Sequence, residues 1–339
     1  MKYAALLFLL PLPLAASPWV LPEGQLVVVG RYDYETAREE FLDEGDSLVY
    51  SLNGKLVSTT YTVDVRLGTL ENFELELVLP LKQVTYTADP VILLDDGGVM
   101  PAIDFYQENV LDFSQASTGL GDVELLGRYQ LFRRALVGAA ELSLKTPTGY
   151  EKPAGTFGRK PRNQEEFLAG VGTFVRPDNV ADDVTLGDGV LDIGAGLLLG
   201  WALPTGTFTR LDTGYRVRFG GASHLAYGRF RVGQLLLGRL LVFGGADGEL
   251  STTDGDVIGV SVAAVDPALP AREYGGLNNL KLREVRLERD RLAASAGAIL
   301  RLTDVIEVNG AYTHVLWGRN TSASRVISLG VGVRTDLGQ

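Results

Sequence analysis

Apolar and polar side chains alternate residue by residue from Gln25 almost to the C-terminus, connections alternate between short and long, and no later segment is apolar enough to span a bilayer as a helix. Together these predict an all-β chain: a transmembrane antiparallel up-and-down β-barrel of about twelve strands, with short periplasmic turns and long extracellular loops. Fourteen strands is the alternative count, if "EEFLAGVGTFV" (165–175) adds a pair with a neighbour.

The N-terminus "MKYAALLFLLPLPLAASPW" has a basic Lys2, an apolar run from Tyr3 to Leu14 and small residues at Ala15, Ala16 and Ser17. That is the pattern of a signal peptide cleaved near Ala16 or Ser17, although Pro18 is a poor first mature residue. An uncleaved anchor is the rival reading, and the run is shorter than the ~20 residues a spanning helix needs. The expected organisation is a signal peptide at 1–17 and an outer-membrane barrel at 18–339.

The strands follow in order. "QLVVVGRYDYE" sets Leu26, Val28, Gly30, Tyr32 and Tyr34 against Arg31, Asp33 and Glu35. "TYTVDVRLG" sets Tyr61, Val63, Val65 and Leu67 against Thr62, Asp64 and Arg66, and "FELELVLPLK" sets five apolar residues from Phe73 to Leu81 against Glu74, Glu76 and Lys82. The combs continue through "GDVELLGRYQL", "AELSLK", "LDIGAGLLLGWAL", "RLDTGYRVRF", "LAYGRFRVGQ", "LLLGRLLVFGG", "DVIEVNGAYTHVLW" and "RVISLGVGV". Short connections are expected at Thr69–Asn72, Phe132–Arg134, Leu203–Gly206, Val232–Gln234 and Leu302–Asp304. Longer ones are expected at Glu40–Lys55, Ala88–Gly119, Pro147–Thr185 and Gly245–Leu280, with "GRNTSA" and the tight "GGAS" turn on the same side. Tyr61, Phe73, Tyr86, Phe132, Trp201, Phe208 and Trp317 fall near strand ends, as an interfacial girdle requires. An exported β-sandwich would also alternate, but clean apolar and charged faces on each comb favour the barrel.

With the apolar combs toward lipid, the charged combs line a lumen. The candidate lining is Asp64, Arg66, Glu74, Glu76, Asp122, Glu124, Arg128, Glu141, Lys145, Arg216, Arg218, Arg229, Arg231 and Arg239. The acids concentrate on early strands and the arginines on later ones, so an acidic sector should face a basic one. Such charges either seal a narrow barrel through charge-assisted bonds or set a transverse field in a hydrated pore.

Composition narrows the chemistry. A net charge of −11 argues against nucleic-acid binding. Zero cysteine removes disulfides, a thiol nucleophile and a thiolate zinc site. "DEGDS" and "TTDGDVIG" lack the EF-hand spacing, and the isolated His224 and His314 have no recognisable orienting partner for a Ser–His arrangement. No cofactor, metal or catalytic residue is called for. Two loop stretches, Asp89–Tyr106 and Asp256–Pro270, are apolar-rich, and read as caps folding into the barrel or as a landing site for a hydrophobic ligand. "EKPAGTFGRKPRN" (Glu151–Asn163) is polar and basic.

Three ordered stretches resemble a known family. "GLGDVELLGRYQLF" (Gly119–Phe132), "LSLKTPTGYEKP" (Leu142–Pro153) and "LGDGVLDIGAGLLLGWAL" (Leu186–Leu203) are similar to the outer-membrane phenol-degradation meta-pathway (MetA-like) transporters, distant relatives of the FadL-type fatty-acid and toluene-uptake barrels. The resemblance implies uptake of hydrophobic, often aromatic, compounds. It covers about a quarter of the chain and supplies no catalytic residue. The chain departs from the fatty-acid transporters because its first comb begins at Gln25, leaving no room for a plug domain of their size, and its end, "VRTDLGQ", lacks a terminal aromatic.

The expectation is an outer-membrane channel or transporter for passive uptake of small molecules, with outer-membrane lipid and lipopolysaccharide around it and a small-molecule substrate inside. The alternative is a structural or adhesive barrel whose lumen is sealed by salt bridges. Oligomeric state is not legible in the sequence.

Overall fold

The computed structural model describes residues 18–42, 45–89, 91–92, 110–111, 114–150, 153, 184–265 and 280–337. Twelve strands form the wall: β1 (Gln25–Ala37), β2 (Lys55–Leu70), β3 (Phe73–Thr87), β4 (Val123–Arg133), β5 (Leu136–Thr146), β6 (Asp192–Ala202), β7 (Thr207–Arg218), β8 (Leu225–Leu236), β9 (Leu240–Ser251), β10 (Asp290–Arg301), β11 (Ile306–Arg319) and β12 (Arg325–Asp336). Each pairs antiparallel with its neighbour in sequence, and β12 closes on β1 from Gln25↔Asp336 to Thr36↔Arg325. Closure removes every wall edge, so the backbone polar groups are satisfied within the wall.

One additional strand, Gln115–Leu120, pairs with the upper part of β3 (Leu81↔Leu120 to Tyr86↔Gln115), while β4 pairs with its lower part (Phe73↔Tyr129 to Val78↔Glu124). Gly121 and Asp122 interrupt the wall between them. The turns at the β1 start and β12 end are short; the opposite end carries the long loops. Two sequence expectations shift here. The expected turn at Val232–Gln234 lies inside β8, and the chain instead reverses at Leu237–Arg239, where Leu237 (φ 52) and Gly238 (φ 69) adopt left-handed conformations. Likewise β9 continues to Ser251, and its loop holds a hairpin of Val257–Val265 with Leu280–Arg286. Most of Asp89–Tyr106 and Glu151–Asn163, part of Asp256–Pro270 and all of 165–175 lie outside the described residues.

Alternation sorts the side chains as the combs require. Tyr61, Val63, Leu125, Leu142, Ile193, Trp201, Leu211, Phe230 and Ile327 are exposed on the outer face, and their strand neighbours Arg66, Glu76, Arg128, Glu141, Asp192 and Asp212 are buried. That inversion of the soluble pattern, apolar outside and charged inside, is what a lipid-facing barrel requires. Two of the expected girdle aromatics point inward. Phe208 packs in an interior cluster with Leu241, Phe243 and Ile299, and Tyr86 stands on the inward face of β3 in T-shaped contact with Tyr50.

An element invisible to the alternation fills the short-turn mouth. Residues 18–24 turn into the barrel before β1 begins. Gln130 on β4 donates from Nε2 to the Pro18 carbonyl (3.0 Å) and accepts from the Val20 amide (3.2 Å). The Leu21 amide donates to Glu74 (2.8 Å), and Arg133 donates to the Val20 carbonyl (2.7 Å). Val20 packs on Ala139 and Leu198, Leu21 on Val27 and Val29, and Trp19 on the Phe208 cluster. The wall makes room for it. A Cβ at Gly68 on β2 would collide with the Pro22 carbonyl, and one at Gly200 on β6 with the Pro18 and Trp19 rings.

Candidate functional site: the lumen and its two mouths

The charges of the lumen fall into three groups. The first lies above the N-terminal segment on β2 to β5. Arg66 donates to Glu74 at 2.8–2.9 Å, and Arg128 bridges Glu74 (2.7 Å), Glu76 and Glu141 (2.6 Å). Arg128 and Glu74 are fully buried, Glu76 and Arg66 nearly so. Asp64 stands beside Glu76 in the same cluster.

The second group lies on β7 to β9. Arg210 forks onto Asp212, Arg231 meets Asp247 at 3.1 Å, and the guanidiniums of Arg216 and Arg229 lie 5.4 and 5.6 Å from the Tyr227 ring centroid. Both are cation–π distances. Arg216 also reaches Glu124 on β4, at 3.8 Å.

The third group closes the loop end. Lys145 lies within 3.2 Å of Asp122, Asp188 and Asp192, and Arg218 meets Asp188 (2.5 Å) and Asp192 (3.3 Å). Tyr150 donates to Asp122 and accepts the Gly189 amide (2.8 Å). Asp188 belongs to the loop between β5 and β6. Burial alone would raise its carboxyl; Arg289, Lys145 and Arg218 outweigh that and hold it well below the usual carboxylate range. The three family-like stretches converge here, for Asp122, Lys145 and Asp188 come one from each. Spaced along the sequence they looked like separate signatures; in the fold they make one junction that ties loop to wall.

The expected acidic and basic sectors do not simply oppose each other. Glu74, Glu76 and Glu141 pair with Arg66 and Arg128 on neighbouring strands, and Arg218 and Arg231 with Asp188, Asp192 and Asp247. Arg216 with Glu124 is the pair of the expected kind. Arg239 is not on a strand face: it lies exposed in the Leu237–Arg239 turn. Asp188, Asp192, Arg210, Asp212 and Asp247 add to the lining expected from the sequence. Asp212 was legible, since it shares parity with Arg216 and Arg218. Asp188 sits in a loop, where alternation gives no signal.

Above the third group a cavity of about 400 Å3 opens at the loop end. Its lining includes Arg218 and Asp188 of the third group, Tyr50, Tyr86, Leu52 and Leu56, and Val285, Leu287 and Arg289. Tyr50 hydrogen-bonds Ser322 (2.5 Å), tying the first long loop to the last. Burial pushes its hydroxyl above the ordinary tyrosine range, opposed by that bond. The arrangement can receive a solute of mixed polarity at the loop end and present it to charged walls below. Among the described residues no cluster of His, Asp and Glu has the form of a metal site.

No protein-family model matches the chain, and no curated protein matches it. Solved barrels do. An outer-membrane channel from Pseudomonas putida F1 superposes with a TM-score of 0.58 at 12% identity, over 93% of this chain and 97% of that one. The translocator domain of the autotransporter NalP from Neisseria meningitidis aligns over 98% of this chain and 94% of its own at 12% identity, with a TM-score of 0.43. A mutant of the TodX monoaromatic hydrocarbon channel aligns over 93% and 91% at 8% identity, also with a TM-score of 0.43. The first of these likenesses supports the fold.

Proposed function

We propose that the chain is an outer-membrane channel that lets small molecules, hydrophobic and aromatic ones among them, cross passively and without a cofactor, after a signal peptide at 1–17 has directed its export. The observation that carries this is a loop-end cavity seated on the charged lumen: Arg218 and Asp188 line the cavity and share ion pairs with Asp192 and Lys145 of the wall. Buried ion pairs stabilise a fold poorly compared with apolar packing, so a lumen lined with charge is better accounted for by hydrated passage than by scaffolding alone. The aromatic and aliphatic lining above suits solutes with an apolar body, and the MetA-like stretches point to the same substrates.

A second reading, a structural barrel with a sealed lumen, is favoured by the fully buried Glu74–Arg128 cluster and by the N-terminal segment across the short-turn mouth. Reconstitution separates the two. A channel gives ion conductance in planar bilayers or accelerates solute entry into liposomes, and neutralising Arg216, Arg218, Arg229 and Arg231 together shifts its ion selectivity. A barrel that passes neither ions nor a hydrophobic probe, and starts to leak only when those arginines are neutralised, is the sealed scaffold instead.

A further inference from the structure

Among the described residues, one cation in the lining of the loop-end cavity has no ion pair. Its other charged lining groups are largely matched: Asp188 meets Arg218 and Arg289, Glu288 meets Arg319 (3.4 Å), and Arg286 meets Glu284 (3.0 Å). Lys82, on the inward face of β3, lines the cavity and has no ion pair or hydrogen bond among the described residues.

Three polar atoms of the lining are also unanswered. Ser51 Oγ, Arg289 Nε and Asn320 Nδ2 are each buried from solvent and have no hydrogen-bond partner among the described residues. Two of them are N–H groups that can only donate, and the hydroxyl can donate as well. Leaving buried donors unsatisfied costs on the order of 1–3 kcal/mol each, so a built cavity holding three of them beside a free ammonium is chemically incomplete. Leu52, Leu56, Val184, Val285 and Leu287 supply the rest of the wall. The complement is a molecule with one negative charge spread over acceptor oxygens, carried on an apolar body that fits within about 400 Å3.

We propose that this vestibule binds a small organic monoanion, a carboxylate on an aromatic or aliphatic body, with Lys82 as its counter-charge and Asn320, Arg289 and Ser51 as hydrogen-bond donors. This rests on the channel reading only in making the site the solute's first stop; binding itself requires no conduction.

The test uses the full processed barrel in detergent and isothermal calorimetry with two probes of like shape, benzoate and its neutral counterpart benzamide. Hydrogen bonds to charged groups are worth roughly 1.5–3 kcal/mol, so benzoate should bind at least about tenfold more tightly than benzamide. Lys82→Met should bring benzoate down to the level of benzamide, and Lys82→Arg should retain most of the preference. Equal affinity for the two probes, no detectable benzoate binding, or unchanged preference in Lys82→Met overturns the proposal; the Lys82→Arg comparison and the wild-type preference decide it if Lys82→Met does not fold. Conductance of the same preparation is read separately. A conducting barrel blind to benzoate loses this site and keeps the channel, and a silent barrel that prefers benzoate does the reverse.

Discussion

Arg128 shows how much a single lumen residue holds. It compensates Glu74, Glu76 and Glu141 at once, with no exposure to solvent. Removing one partner of a buried ion pair leaves its counterpart charged and desolvated, which costs about 3–5 kcal/mol. Arg128→Met is expected to destabilise the barrel by that order, read as a lower urea midpoint in lipid. A midpoint equal to wild type would show that water reaches the cluster. Asp188 behaves differently because its pKa is depressed by the surrounding cations. A carboxylate of this kind stabilises the fold fully above its unfolded value of about 3.9 and loses that contribution only as pH falls toward the lower folded value. The difference in melting temperature between wild type and Asp188→Asn should therefore stay constant from pH 8 to about pH 4 and shrink below that. A difference that fades near neutral pH would contradict the assignment. These residues also mark the limit of what could be read in advance. Parity placed Glu74, Arg128 and Lys145 on the lumen side, but parity cannot name a partner, and the partners turned out to be mostly on adjacent strands.

Among the elements, β8 and the N-terminal segment were the least legible, for opposite reasons. The run "LLLGRLL" is apolar on both sides of its turn, and Leu237 is 96% exposed, so only Gly238 marks the reversal. Turn residues are ordinarily found by their polarity; here that cue was missing, and Arg239 was assigned to the lumen with it. Residues 18–24 are too short and too rich in proline to alternate, and the side chains that hold them, Gln130 and Arg133, lie more than a hundred positions away. Nothing local encodes their position. The wall strands were legible because lipid on one side and charge on the other impose a period of two over their whole length. The segment's fit depends on Gly68, so Gly68→Val is expected to displace it while β2 stays paired with β3. Conductance should rise several-fold, and residues 18–24 should become open to an added protease. A variant whose segment is exposed but whose conductance equals wild type would show that the segment does not obstruct the mouth.

At the scale of the molecule the exterior governs where the chain can exist. Leu142, at the centre of β5, is 68% exposed, and its outward neighbours are similarly bare. Lipid is the solvent that leaves such a surface without cost. Leu142→Arg should lower the stability of the membrane-inserted barrel by about 2–4 kcal/mol, the range for a guanidinium near the bilayer midplane; a loss of a few tenths would place this strand outside the hydrocarbon. The inserted N-terminal segment, finally, bears on how the barrel is made. The Pro18 carbonyl lies against the buried Gln130, inside the closed wall. The segment rests at once on Glu74 of β3, Gln130 and Arg133 of β4, Ala139 of β5 and Leu198 of β6, so it can settle only after those four strands have paired, and any opening of that part of the wall releases it.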